Sequence, residues 1–146
     1  MLKQATMTQI RSGELTRKNG HIVIVMRHYP RGLAKKFIDE YLSQLAPDLA
    51  LFREFKKFEK LIGHNQSFKK IRYTDRFVIS DLGWNHLERL ANLSHAKNVY
   101  FVCQCRMGDF CHREILMLWA HSRFNAQIEG VFHQYRGLEG PKKKVS

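Results

Sequence analysis

After His21, the segment Ile22-Val23-Ile24-Val25-Met26 runs uninterrupted through β-branched and apolar residues. A strand with one face in water alternates apolar and polar side chains, so a continuous run marks a strand covered on both faces. Val99-Tyr100-Phe101-Val102-Cys103 repeats this pattern far downstream. Buried strands separated by helical stretches are the mark of a largely parallel sheet with helices packed on it. The expected fold class is therefore α/β, with a small, mostly parallel or mixed sheet flanked by helices. This is a Rossmann-like three-layer arrangement in a single domain. A length of 146 residues suits one domain with a sizeable core.

Between the two strands, Leu33, Phe37, Tyr41 and Leu45 recur every four residues with polar side chains opposite, which predicts an amphipathic helix. Ala46-Pro47 ends it, and Pro47-Asp48 opens a second helix carrying Leu51, Phe52, Phe55, Phe58 and Ile62 to about Gly63. Residues 65–80 fit either period, and helix is preferred. Ser80 or Asp81 caps a helix with Trp84, Leu87, Leu90 and Ala91 on one face. A further helix from Asp109 carries Ile115, Leu116, Leu118 and Trp119. Short strands are expected within residues 3–10 and at 130–133. Residues 1–20 read as an N-terminal segment that can supply an edge strand, 21–136 as the α/β domain, and 137–146 as a basic tail that frays from Gly140.

The chain carries 25 Lys and Arg against 13 Asp and Glu, a formal net charge of +12. Its longest apolar run, residues 115–120, falls far short of the roughly 20 residues of a membrane helix. No apolar leader segment follows Met1. The 3 cysteines are odd in number and all lie between positions 103 and 111, unlike a secreted disulfide framework. A cytoplasmic protein without membrane association is expected.

The chemistry-bearing residues concentrate in two loops that leave the buried strands. The first is Cys103-Gln104-Cys105-Arg106-Met107-Gly108-Asp109-Phe110-Cys111-His112-Arg113. In open α/β sheets ligands bind beyond the carboxyl ends of strands, and a helix start offers free N–H groups and a positive potential. With Asp109 as N-cap, Cys111, His112 and Arg113 fall in the first turn, where an anion is favoured and a thiol pKa is depressed. Cys111 is the candidate thiolate, Cys103 or Cys105 its candidate disulfide partner, His112 an acid–base group and Arg113 an anion fork. Packing is the competing reading for Cys103. A Cys₃His metal site is disfavoured by spacing, because adjacent Cys and His rarely reach one ion, so no metal or cofactor is expected.

The second loop is Arg27-His28-Tyr29-Pro30-Arg31-Gly32. If the two strands are parallel, both loops open on one rim, and Arg27, His28, Arg31, Arg106 and Arg113 face one cleft. Tyr29, Gly32 and Cys105 complete the expected ligand-binding set. Surface charge is the competing reading for Arg27 and Arg31.

The pieces Tyr29-Pro30-Arg31-Gly32, Leu45-Ala46-Pro47 and above all Cys103-x₇-Cys111-His112-Arg113 resemble the family catalogued as domain of unknown function 488. They are most like its short, YeaO-like members. The resemblance spans roughly residues 20 to 135, with His133 as a weaker match, and family members commonly carry an acidic residue where this chain has Cys105. It implies a compact single-domain α/β fold and supplies no established reaction.

Three functions follow as expectations. The first is an enzyme or ligand-binding domain for an anionic, nucleotide- or phosphate-like small molecule. The second is a nucleic-acid-binding module using Lys56, Lys57, Lys60, Lys69, Lys70 and Arg72, a run that reads equally as a solvated helix face. The third is a thiol redox or metal-binding module.

Overall fold

The computed structural model describes residues 1–144. Four strands form one sheet: β1 (Leu2–Thr6), β2 (His21–Ile24), β3 (Glu40–Tyr41) and β4 (Val99–Cys103), in the order β1-β4-β2-β3. Every neighbouring pair is parallel. Six helices accompany them among the described residues: α1 (Met7–Arg11), α2 (Leu49–Ile62), α3 (His64–Lys70), α4 (Tyr73–Arg76), α5 (Asp81–Leu93) and α6 (His112–Phe124). None is long and apolar enough to cross a membrane.

The continuous apolar runs have the predicted consequence. Val23 and Val25 point into a core built with α2, α3, α5 and α6, together with Val99 and Phe101 of β4. Ile22 and Ile24 point the other way, onto Met7 and Ile10 of α1, Ile38 and Leu15. Both faces of β2 are thus dry, one under a thick helical layer and the other under a thin layer of one short helix and loop. This is the three-layer α/β arrangement expected. Trp84 and Trp119 are partly buried against the core, with ring centroids 4.9 Å apart.

Two helix starts follow the sequence signals closely. Asp48 caps α2 by accepting from the Leu51 N–H at 2.9 Å, and Ser80 caps α5 by accepting from Gly83 at 3.1 Å. Residues 65–80 become two short helices, broken at Arg72, whose φ of 55° is left-handed. The N-terminal strand is β1, which stops at Thr6 because Thr6 and Gln9 form a capping box that starts α1.

The helix expected over residues 33–45 does not form. Two single 3₁₀ turns flank β3 there, and the main chain bonds the sheet instead: Asp39 N–H donates to the Ile22 carbonyl (3.0 Å) and Leu42 N–H to that of Ile24 (2.9 Å). The apolar residues are divided between the two cores, Leu42 and Leu45 on one face and Ile38 on the other, while Phe37 stays exposed. Their four-residue spacing is not one helical stripe. The strand expected at 130–133 is likewise absent. The Phe132 N–H donates to the buried Glu114 carboxylate at 2.6 Å, and Val131 makes a lone bridge to Lys142. That bridge also corrects the frayed tail: Lys143 N–H donates to Val131 O at 2.8 Å, so residues 141–143 are held, and 145–146 lie outside the described residues.

β3 is only two residues long and is held by a side chain. The Glu40 carboxylate accepts from Arg89 at 2.7 and 3.1 Å and contacts His21 Nε2 at 2.6 Å. Burial works to raise its pKa, but the hydrogen bonds from Arg89 and His21 win and hold it below the usual glutamate value. The folded state therefore favours the ionised form. Its stabilisation is complete above the unfolded value near 4.3 and is lost as pH falls through the lowered folded value. Glu40→Gln should cost no more than about 1 kcal/mol at pH 7, lowering Tm by about 3 °C. Thermal melts should show this gap closing below about pH 4. A gap unchanged from pH 7 to pH 3 would contradict the assignment.

Candidate functional site

Because β2 and β4 are parallel neighbours, their carboxyl ends open on the same edge. Beyond that edge a cleft of about 670 Å³ lies between the two strand-end loops and the helices α2 and α3. This is the size of a small-molecule site. Its floor is the end of β4 and the start of α6: Cys103, Cys111 and His112.

The start of α6 differs from expectation. Asp109 is not the cap. Its carboxylate accepts from the Asn65 side-chain amide (3.3 Å), whose oxygen in turn accepts from the Phe110 N–H (3.0 Å), pinning this stretch to α3. The helix begins two residues later, with Cys111 at the N-cap in extended geometry (φ −154°, ψ 147°). The extended Cys111 followed by the helical His112 turns both side chains toward Cys103. The Cys111 sulfur lies 3.7 Å from His112 Nδ1, and the side-chain donor atoms of Cys103, Cys111 and His112 all fall within 4.8 Å of one another. Cys105 is half-buried beside them, its sulfur 3.8 Å from that of Cys103. Among the described residues, none of the three cysteines is in a disulfide.

The His112 ring is oriented by the neighbouring strand. Its Nε2 donates to the Val25 carbonyl at 2.6 Å, just beyond β2, which leaves Nδ1 with its lone pair toward the sulfurs. Burial lowers its pKa from the usual value, so the ring is neutral at pH 7. Burial also disfavours a thiolate at Cys111. Hydrogen bonds from the Cys103 and Cys105 thiols, the charge of Arg113 and the Arg113 main-chain N–H overcome it and hold Cys111 well below the ordinary thiol value. Cys105 is pushed the opposite way by its bonds to the other two sulfurs and by burial, and it keeps its proton.

Arg113 does not line the cleft. It is fully buried behind the floor, where Nη1 donates to the carbonyls of Ala5 (2.7 Å) and Cys105 (3.1 Å) and Nη2 to that of Arg106 (3.3 Å). Among the described residues its Nε has no hydrogen-bond partner. Of the five basic positions expected on one rim, Arg27, His28 and Arg106 line the cleft, and Arg31 and Arg113 do not. From Tyr29 onward the loop turns toward the opposite face of the sheet. Tyr29 packs edge-on against Tyr41, the Arg31 carbonyl accepts from Arg11, and Gly32 takes a left-handed φ of 76°.

Sequence did not bring the cleft walls together as one surface. Phe52, Phe55, Phe68, Tyr73 and Phe110 supply aromatic surface, and Lys56 adds a cation at the rim. His64 has two partners that spacing did not reveal: Nε2 donates to the Phe110 carbonyl (2.7 Å) and Nδ1 pairs with Glu59 (2.8 Å), tying α2 to the loop before α6.

A family model described as the Active DUF488-N3 subclade matches residues 7–123. The chain belongs to the DUF488 family. No curated protein and no solved structure matches it. The stretch matched by the DUF488 model takes in both strand-end loops, α2, α3 and nearly all of α6, and so every residue lining the cleft. In this DUF488 chain the His-Arg pair of the motif is split between two tasks. His112 faces the cleft, while Arg113 holds the ends of β1 and of the Cys105–Arg106 loop together.

Arg113→Ala would remove the buried cation on which the carbonyls of Ala5, Cys105 and Arg106 converge, at a cost of about 3–5 kcal/mol. Arg113→Lys keeps the charge without the planar fork and should still lose about 2 kcal/mol. Urea midpoints measure both. A lysine variant as stable as the parent would show that the fork is not what holds the loop.

Proposed function

We propose that this chain is an enzyme acting on an anionic, ring-bearing small molecule of the nucleotide class. The observation that carries the reading is the composition of one cleft. Cations stand at its rim, aromatic side chains form its walls, and a sulfur–imidazole cluster forms its floor at the carboxyl edge of a parallel sheet. Arg27 spends one guanidinium nitrogen on the Pro47 carbonyl (3.1 Å) and has others for an anion, and Arg106 is exposed at the opposite lip. A planar base would stack on the aromatic walls while its phosphate meets the two arginines. The Cys103, Cys111 and His112 floor places the chemistry at the bottom of the cleft, beneath the bound ring. That the matched family model is described as active supports a chemical rather than a purely structural floor.

A nucleic-acid reading has one specific observation in its favour. A shallow groove with Lys69, Arg72 and Arg136 backs onto Phe68, Tyr73 and Phe110, the same side chains that wall the cleft. Lys56, Lys57, Lys60, Lys69, Lys70 and Arg72 are all exposed.

Calorimetric titration separates these readings. A nucleoside monophosphate should bind more tightly than its nucleoside. The double variant Arg27→Ala/Arg106→Ala should lose about tenfold in affinity for the monophosphate, about 1.4 kcal/mol, and little for the nucleoside. An oligonucleotide that binds with a steep salt dependence while mononucleotides do not bind would favour the nucleic-acid reading instead. Absence of binding by any of these ligands would rule out both.

A further inference from the structure

We propose that Cys103, Cys111 and His112 bind one zinc ion, with the fourth coordination position open to the cleft. The site stands on its own geometry, and its role as the enzyme's cofactor rests on the reading above. A tetrahedral zinc with Zn–S near 2.3 Å and Zn–N near 2.0–2.1 Å sets a sulfur–nitrogen edge of about 3.6 Å and a sulfur–sulfur edge of about 3.8 Å. The Cys111 sulfur and His112 Nδ1 are 3.7 Å apart, already the length of such an edge. The remaining donor separations lie within 4.8 Å. Closing them to tetrahedral edges asks for about 1 Å, which side-chain rotation supplies.

Adjacent residues rarely share an ion because consecutive side chains diverge by about 100° along a helix and alternate faces along a strand. Here the pair straddles the boundary between the two conformations, with Cys111 extended and His112 helical, and the divergence is cancelled. The histidine carries the support typical of a metal ligand. Its outer nitrogen donates to a main-chain carbonyl, and its inner nitrogen faces the other donors. Each ligand sits at the end of a regular element, so the triangle is preorganised. Two thiolates and an imidazole are soft and borderline donors, suited to zinc and unsuited to magnesium or calcium.

The same geometry makes this an open site. Three protein ligands with a vacant fourth position is the arrangement of catalytic zinc, whereas four protein ligands close a structural one. All three ligands line the cleft, and the Cys105 sulfur, although 3.8 Å from that of Cys103, lies outside the three-donor set. A water or a substrate oxygen would take the position facing the nucleotide cleft, where zinc polarises it.

Metal analysis of the purified chain tests this directly. About 1 zinc per chain is expected for the parent and for Cys105→Ser, and below about 0.2 for Cys103→Ser, Cys111→Ser and His112→Ala. Should a variant fail to fold, the parent itself provides the second readout. After chelation, added cobalt(II) should give the intense visible bands of a tetrahedral site and a sulfur-to-metal charge-transfer band. Inorganic phosphate or a nucleoside monophosphate should then shift the visible bands. A parent with no zinc and no tetrahedral cobalt spectrum overturns the site, and so does copper or iron in place of zinc. Loss of zinc from Cys105→Ser overturns the open position in favour of a closed one. Zinc bound with no spectral response to either anion leaves the metal in place and contradicts its role in the nucleotide cleft.

Discussion

The parallel ladder between β2 and β4 is the constraint on which the rest of the structure depends. Residues 21–24 run beside 99–102 in the same direction, and the Val25 N–H adds one more bond to the Val102 carbonyl at 3.0 Å. That pairing places two chemically rich loops, far apart in sequence, on one edge. An antiparallel pairing would have put them at opposite ends of the molecule. The ladder also positions the Val25 carbonyl, which aims His112, and Cys103, which meets the imidazole from below.

Behind this edge the molecule carries a buried cation. Arg113 is enclosed by carbonyls, and the cysteine cluster and the Glu114 carboxylate favour its charged form against burial. An isolated buried charge is costly, and a cluster that can hold negative charge on sulfur offsets it. Arg113 and the floor of the cleft are therefore electrostatically one unit, although only the floor meets the cleft. The dense packing of α6, with Ile115, Leu116, Met117 and Leu118 all buried, keeps that unit fixed.

Much of this was legible in the residues themselves. The two buried strands, the caps Asp48 and Ser80, and the placement of Arg27, Arg106, Cys103, Cys111 and His112 around the carboxyl edge of the sheet all follow from local pattern and topology. Residues 33–45 misled because apolar side chains destined for two different cores happen to recur every four positions, and periodicity does not report which core each one enters. Arg31 and Arg113 carry the right charge but point elsewhere, a matter decided by the turn that begins at Tyr29 and by three main-chain carbonyls that converge behind the floor. The aromatic walls were hidden for another reason: Phe52 and Phe55 form the same helical stripe whether they meet the sheet or line a cleft. The convergence of Cys111 and His112 depends on a helix starting between them, two residues later than Asp109 suggested.

The most direct measurement is a crystal structure of the chain with a nucleoside monophosphate, with data collected on both sides of the zinc absorption edge. One anomalous peak bounded by Cys103 Sγ, Cys111 Sγ and His112 Nδ1 is expected, with a phosphate at Arg27 and Arg106 and a base between the walls formed by α2 and α3. A nucleotide bound away from this cleft, or three free thiols with no metal between them and the imidazole, would contradict it.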